Sequence, residues 1–214
     1  MELRGSAFLF DLDGVLVDSR AVVERVCRTW ARRHGLDPEM VLRTAHGRRT
    51  RDTVAAVAPH LDIPREVAWL DAAELADVDG LVEVPGVRRV LTSLAAGSWA
   101  VVTSCTPDLA RLRLTSVSLP IPQVVVTSAD VARGKPAPDA FQLGAKRLGY
   151  DAAACVAFED APPGVAAARA AGARVVALRT THPEANFAAV EAVIPDFTGL
   201  RVRRDEHGYL LTIL

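Results

Sequence analysis

Cysteine is scarce in this chain: among 214 residues only Cys27, Cys105 and Cys155 carry a thiol. The number is odd, the three lie far apart, and none falls into a paired metal-binding spacing, so neither a disulfide framework nor a structural zinc site is expected. An excess of charge is missing as well, since 25 Lys and Arg stand against 26 Asp and Glu. A net charge of −1 provides no steering field, and neither nucleic acid nor an anionic membrane is expected as a partner. No apolar run approaches the roughly 20 residues of a bilayer span. Residues 1 to 10 hold no cationic segment ahead of a cleavable apolar stretch. The expectation is a soluble, cytoplasmic protein.

Apolar residues make up half of the sequence, enough for one good core with length to spare for a modest insertion. Short apolar runs at Ala7 to Phe10, Trp99 to Thr103, Val124 to Thr127, Cys155 to Phe158 and Arg174 to Leu178 lack strict alternation, as does a weaker one at Ala192 to Ile194. That pattern marks strands covered on both faces in a parallel sheet. Between them, Val87 to Ala95, Pro107 to Ser116, Pro138 to Leu148 and Pro162 to Ala171 read as helices, several with Pro in the first turn and Gly near the end. The expected fold is α/β, a Rossmann-like doubly wound parallel sheet. Residues 20 to 82 break the rhythm, with helical patterns at Ala21 to His34, Arg51 to Val57 and Arg65 to Asp77 and no convincing strand. The predicted division is therefore a core of residues 1–18 and 83–214 with a small α-helical insertion at 19–82. The tail from Arg201 to Leu214 has the pattern of a hairpin.

Ligands of open α/β sheets bind beyond the carboxyl ends of the strands. Polar residues gather at four such ends: Asp11 and Asp13 after the first strand, Ser104 and Cys105 after the second, Gly134-Lys135-Pro136 near the third, and Glu159-Asp160 after the fourth. If the first strand stays extended past Phe10, Asp11 and Asp13 point the same way, and two converging carboxylates need a cation or a proton. Asp11, Glu159 and Asp160 supply the hard oxygen ligands that Mg²⁺ prefers. Asp11 then serves as nucleophile towards phosphorus, and Asp13 as the general acid that protonates the leaving alkoxide and the base that activates water. Ser104 and nearby backbone N–H groups, that of Cys105 among them, donate to phosphoryl oxygens. Lys135 provides a fixed positive charge, and Pro136 keeps it out of the helical region. Taken singly each feature has a plainer reading: Ser104 as a helix cap, Lys135 in a surface loop, Glu159 and Asp160 favouring a helix dipole. It is their recurrence after successive strands that carries the chemistry.

These residues resemble the haloacid dehalogenase-like superfamily, in its phosphatase branch with a helical cap. Asp11-Leu12-Asp13-Gly14-Val15-Leu16-Val17-Asp18-Ser19 is similar to its first motif and Thr103-Ser104 to its second. Gly134-Lys135-Pro136-Ala137-Pro138-Asp139 is similar to the third and Phe158-Glu159-Asp160-Ala161-Pro162-Pro163-Gly164 to the fourth. The resemblance implies Asp11 as nucleophile, Asp13 as acid/base that also offers Mg²⁺ its backbone carbonyl, Ser104 and Lys135 on phosphate, and Asp160 on Mg²⁺ with Glu159 beside it. His46-Gly47-Arg48-Arg49-Thr50, Ala58-Pro59 and Val84-Pro85-Gly86 further resemble the glycerol-phosphate and 2-deoxyglucose-6-phosphate phosphatases. That implies a sugar or polyol phosphate as the small-molecule substrate, with His46 and Arg49 as cap residues that touch it, in a monomer or weak homodimer. Val15, where many members have Thr, also occurs in the phosphoglucomutase-like relatives and makes a sugar phosphomutase the alternative. Cys105 stands where the subgroup often has Gly. Arg51 and Asp52 are expected as a screened surface pair, and Trp30, Trp69 and Trp99 as packing residues.

Overall fold

The computed structural model describes residues 1–214. The chain opens with β1 (Glu2–Gly5) and β2 (Ala7–Phe10), and a tight turn leads to the short β3 (Val17–Asp18). Four helices follow, α1 (Arg20–Arg33), α2 (Pro38–Ala45), α3 (Thr50–Val57) and α4 (Ile63–Leu75), and then β4 (Val82–Glu83), antiparallel to β3. Helices and strands then succeed one another as α5 (Val87–Thr92), β5 (Trp99–Val102), α6 (Pro107–Ser116), β6 (Val124–Val126), α7 (Asp139–Leu148), β7 (Cys155–Glu159), α8 (Pro162–Ala170), β8 (Arg174–Leu178) and β9 (Ala192–Ile194). A hairpin of β10 (Leu200–Asp205) and β11 (Gly208–Ile213) completes the order.

Six strands form a parallel sheet in the order β6-β5-β2-β7-β8-β9. Both faces are covered, which explains the unbroken apolar runs. Phe8 and Phe10 of β2 point into one buried cluster with Trp99, Val101, Phe158 and Tyr209, while Ala7 and Leu9 point into another with Val102, Phe141 and Ala157. The rings of Phe10 and Phe158, cross-strand partners, stack at 4.9 Å. Each fully buried Phe contributes on the order of 2 kcal/mol, and here that packing sits directly beneath the strand ends that bear Asp11 and Glu159.

The helices between β3 and β4 have their own buried cluster, built around Val22, Trp30, Leu42, Val54 and Leu70. Trp30 donates its indole N–H to Glu66 Oε2 at 2.8 Å, so a ring at the centre of that cluster leaves no polar atom unpaired. Helix α2 is absent from the sequence reading; Asp37 caps it and Pro38 opens it, but with only Val41 and Leu42 buried it is too short to show a period. β3 and β4 are equally invisible at two residues each, yet they mark where the chain leaves the sheet and returns.

The predicted hairpin is present and gains an unforeseen partner, because β11 lies between β10 and β1. Tyr209 on β11 donates its hydroxyl to Ser98 Oγ at 2.9 Å and accepts from the Ala95 N–H at 3.0 Å, tying this small sheet to the core. Asp52 pairs with Arg49, two carboxylate–guanidinium contacts at 2.7 and 3.0 Å, rather than with Arg51. No helix is long and apolar enough to cross a membrane.

Candidate active site

The site forms at the carboxyl end of β2, where its sheet neighbours are β5 on one side and β7 on the other. Its centre is a buried ammonium between two carboxylates: Lys135 Nζ lies 2.6 Å from Asp11 Oδ1 and 2.6 Å from Glu159 Oε1. Asp11 is fixed through its backbone as well, its N–H donating to the Phe158 carbonyl at 3.0 Å. Burial alone would lower the Lys135 pKa, but the charges of Asp11 and Glu159 outweigh it and the pKa is raised. Glu159 spends both oxygens, one on Lys135 and the other on the N–H groups of Asp160 and Ala161 at 3.0 and 3.3 Å.

Asp11, Glu159 and Asp160 bring carboxylate oxygens within 4.8 Å of one another, all buried, against a single lysine. The cost falls on the charged forms. Burial, with Glu159 and Asp13 adding to it and Lys135 opposing, pushes the Asp11 pKa up to about 7. Burial and then the charges of Glu159 and Asp11 push Asp160 well above the carboxylate range. Such a cluster of hard oxygen donors short of positive charge is what a divalent cation neutralises. The backbone is shaped around it: Gly14 has φ +78°, and a Cβ there would fall 2.0 Å from Asp160 Oδ2. At Gly164 a Cβ would fall 1.8 Å from Glu159 Oε1.

Asp13 faces the same cavity by a different route. β2 ends at Phe10, so strand alternation does not carry on to Asp13; the turn that begins at Leu12 brings it in. Its Oδ1 accepts from Arg113 Nε at 3.1 Å, and its Oδ2 lies 2.8 Å from Cys105 Sγ. The Cys105 N–H goes to Thr103 Oγ1 at 3.1 Å. Cys105 therefore touches Asp13 through sulfur, while its amide, the group expected on phosphate, is turned to Thr103. Ser104 lines the cavity and donates to the Gly47 carbonyl of the helical insertion at 3.1 Å; the cap of α6 is Thr106, not Ser104.

The insertion forms the opposite wall, with His46, Arg48, Thr50 and Thr53 lining the cavity. Neither ring nitrogen of His46 has a partner, nor has Thr53 Oγ1, although all three are buried. Burial, then the neighbouring His182 and Arg20, lower the His46 pKa to about 4. Arg49 is not brought to the wall. Its guanidinium is held by Asp52 and by the carbonyls of Val131 and Ala132 at 3.4 and 3.1 Å, which makes it a strut between the insertion and the loop from β6 to α7.

A family model described as haloacid dehalogenase-like hydrolase matches residues 6–172. The chain belongs to that family. Among this hydrolase's relatives, hexitol phosphatase A of Escherichia coli (strain K12) is 40% identical over 211 residues, covering 96% of this chain and 98% of the relative. Glycerol-1-phosphate phosphohydrolase 2 of Saccharomyces cerevisiae is 33% identical, with 85% and 77% covered. The fold matches that of a hydrolase from Pseudomonas syringae at a TM-score of 0.80 and 24% identity, over 90% of this chain and 94% of the other. In the hydrolase's site the residues that sequence reasoning passed over are Arg113, Glu74, Thr53 and Thr181. None follows a strand end with a motif, so only their packing against Asp13, or their place in the cavity wall, makes them visible.

Proposed function

We propose that this phosphoric monoester hydrolase acts on a small sugar or polyol phosphate, with Asp11 as the nucleophile and Mg²⁺ as the metal. The observation that carries the reading is the buried group of Asp11, Glu159 and Asp160 around Lys135. Asp11 and Asp160, with the Asp13 backbone carbonyl, would hold Mg²⁺, which when bound offsets their repulsion and withdraws charge from phosphoryl oxygens. Glu159 stays beside it as the anchor of Lys135.

Asp11 forms an O–P bond as the bond from phosphorus to the ester oxygen breaks, and the departing alkoxide takes a proton from Asp13. Water then attacks the aspartyl-phosphate, its proton passes to Asp13, and phosphate leaves. Lys135 favours the charged form of the Asp11 carboxylate and aims it, and Ser104 is released from Gly47 to donate to a phosphoryl oxygen. The unpaired nitrogens of His46 and the Thr53 hydroxyl support a substrate rich in hydroxyls, since buried polar groups without partners are costly and a polyol supplies both donors and acceptors. The hexitol and glycerol phosphatase relatives support hydrolysis over a mutase.

The test is a phosphate-release screen over polyol, sugar and nucleotide monophosphates with and without Mg²⁺. Activity is expected to concentrate on the first two classes, to vanish with EDTA and to fall by at least about a thousandfold in Asp11→Asn. Equal activity across all classes would remove the substrate assignment, and persistent turnover in Asp11→Asn would remove the nucleophile.

A further inference from the structure

Arg113, behind the cavity wall, is buried as fully as Glu159, with no exposed side-chain surface. It comes from α6 and bridges two carboxylates that lie on different parts of the molecule: Asp13 in the turn after β2 at 3.1 Å, and Glu74 on α4 of the insertion at 2.6 Å. Its remaining nitrogen, Nη1, is buried without a partner. A buried ion network of this kind is a poor stabiliser, because the desolvation of three charges offsets their attraction and an unpaired guanidinium N–H adds to the cost. What the arrangement does provide is placement. A guanidinium is a planar, rigid fork; gripped by Glu74 at one end, it fixes the position from which Nε reaches Asp13. The Cys105 sulfur on the other Asp13 oxygen closes off rotation of the carboxyl group.

We infer that Arg113 is a positioning residue for Asp13, and that Glu74 holds Arg113 in register, so that the aim of the proton carrier is tied to the seating of the helical insertion on the sheet. The inference rests on the assignment of proton transfer to Asp13 given above. Arg113 does not line the cavity; it acts through Asp13 alone.

The experiment compares kcat/KM for an alkyl ester, glycerol 1-phosphate, with that for p-nitrophenyl phosphate, whose leaving group departs as a stable anion and needs no proton. If Arg113 aims the acid, Arg113→Met lowers the alkyl value by at least about tenfold, part of the hundredfold or more that general acid catalysis supplies, and the aryl value by less than about threefold. Arg113→Lys recovers part of the alkyl loss, and the inhibition constant of inorganic phosphate stays unchanged in both. Equal losses on both esters, or a phosphate constant that rises in step, would mean that Arg113 merely supports the fold, and would overturn the inference. Glu74→Gln keeps the volume and halves the anionic grip; it is expected to give the same split at smaller size, and it carries the test if Arg113→Met does not fold. Asp13→Asn separates the two levels: alkyl turnover that survives in that variant refutes the proton carrier itself, whatever the Arg113 variants do.

Discussion

The sulfur of Cys105 shows how much a single side chain's surroundings decide. It lines the cavity next to Ser104, yet burial first, and then the charges of Asp13 and Glu74, raise its pKa well above that of a free thiol. Burial does the same to Cys27, pushed up to about 12, and to Cys155, pushed up to about 11. Since the thiolate is the reactive form, none of the three is expected to react readily at neutral pH. Titration with a thiol-specific disulfide reagent should find almost no reaction in the native protein and three thiols after denaturation. Prompt labelling of Cys105 in the native state would contradict its burial against Asp13. At this scale the sequence was legible where a residue stood in a motif at a strand end, as Asp11, Ser104, Lys135 and Asp160 do. It was silent on Arg113, which is one of many arginines and stands in an unremarkable helix, because only the folded chain reveals that two carboxylates converge on it.

Between β7 and α8 the chain turns within a few residues, and the turn exists to set Glu159. Its two N–H donors come from Asp160 and Ala161, and the first turn of α8 passes so close that only hydrogen is tolerated at Gly164. Gly164→Ala forces either the helix or the carboxylate to move, and overpacking of this kind costs about 1–3 kcal/mol. A displaced Glu159 also loosens Lys135, so the variant is expected to lose both melting temperature and kcat, while an alanine at the exposed, unobstructed Gly149, which has φ +83°, costs stability alone. Calorimetry and a phosphate-release assay on the two variants check the contrast. The parallel strands and their helices could be read from the sequence because two-sided burial leaves an apolar signature. β1 could not, since only Leu3 of its four residues is buried and its partner lies at the far end of the sequence.

Across the whole molecule the buried acidic group sets a pH response. In an unfolded chain Asp11 and Asp160 ionise near the ordinary value of 3.8; in the fold both are raised, Asp11 to about 7. Raised carboxylate pKa values favour the protonated fold, so stability present at about pH 4 drains away as the pH climbs through about 7, unless a cation binds. Metal-free protein should therefore melt at falling temperatures from about pH 5 to pH 8, and the rise on adding Mg²⁺ should grow over the same range. Asp160→Asn should raise the metal-free melting temperature at pH 8 and abolish most of the response to Mg²⁺. A metal-free curve without slope would show that the repulsion is relieved some other way. The sheet of β1, β11 and β10 has a consequence of another kind, in time rather than in energy. During synthesis β1 emerges long before β11, and must wait for it before its edge is paired and Tyr209 reaches the loop at Ala95 and Ser98. A chain that has already made all six parallel strands still lacks the Leu211 partner of Leu3 and the Tyr209 ring that packs edge-on against Phe8.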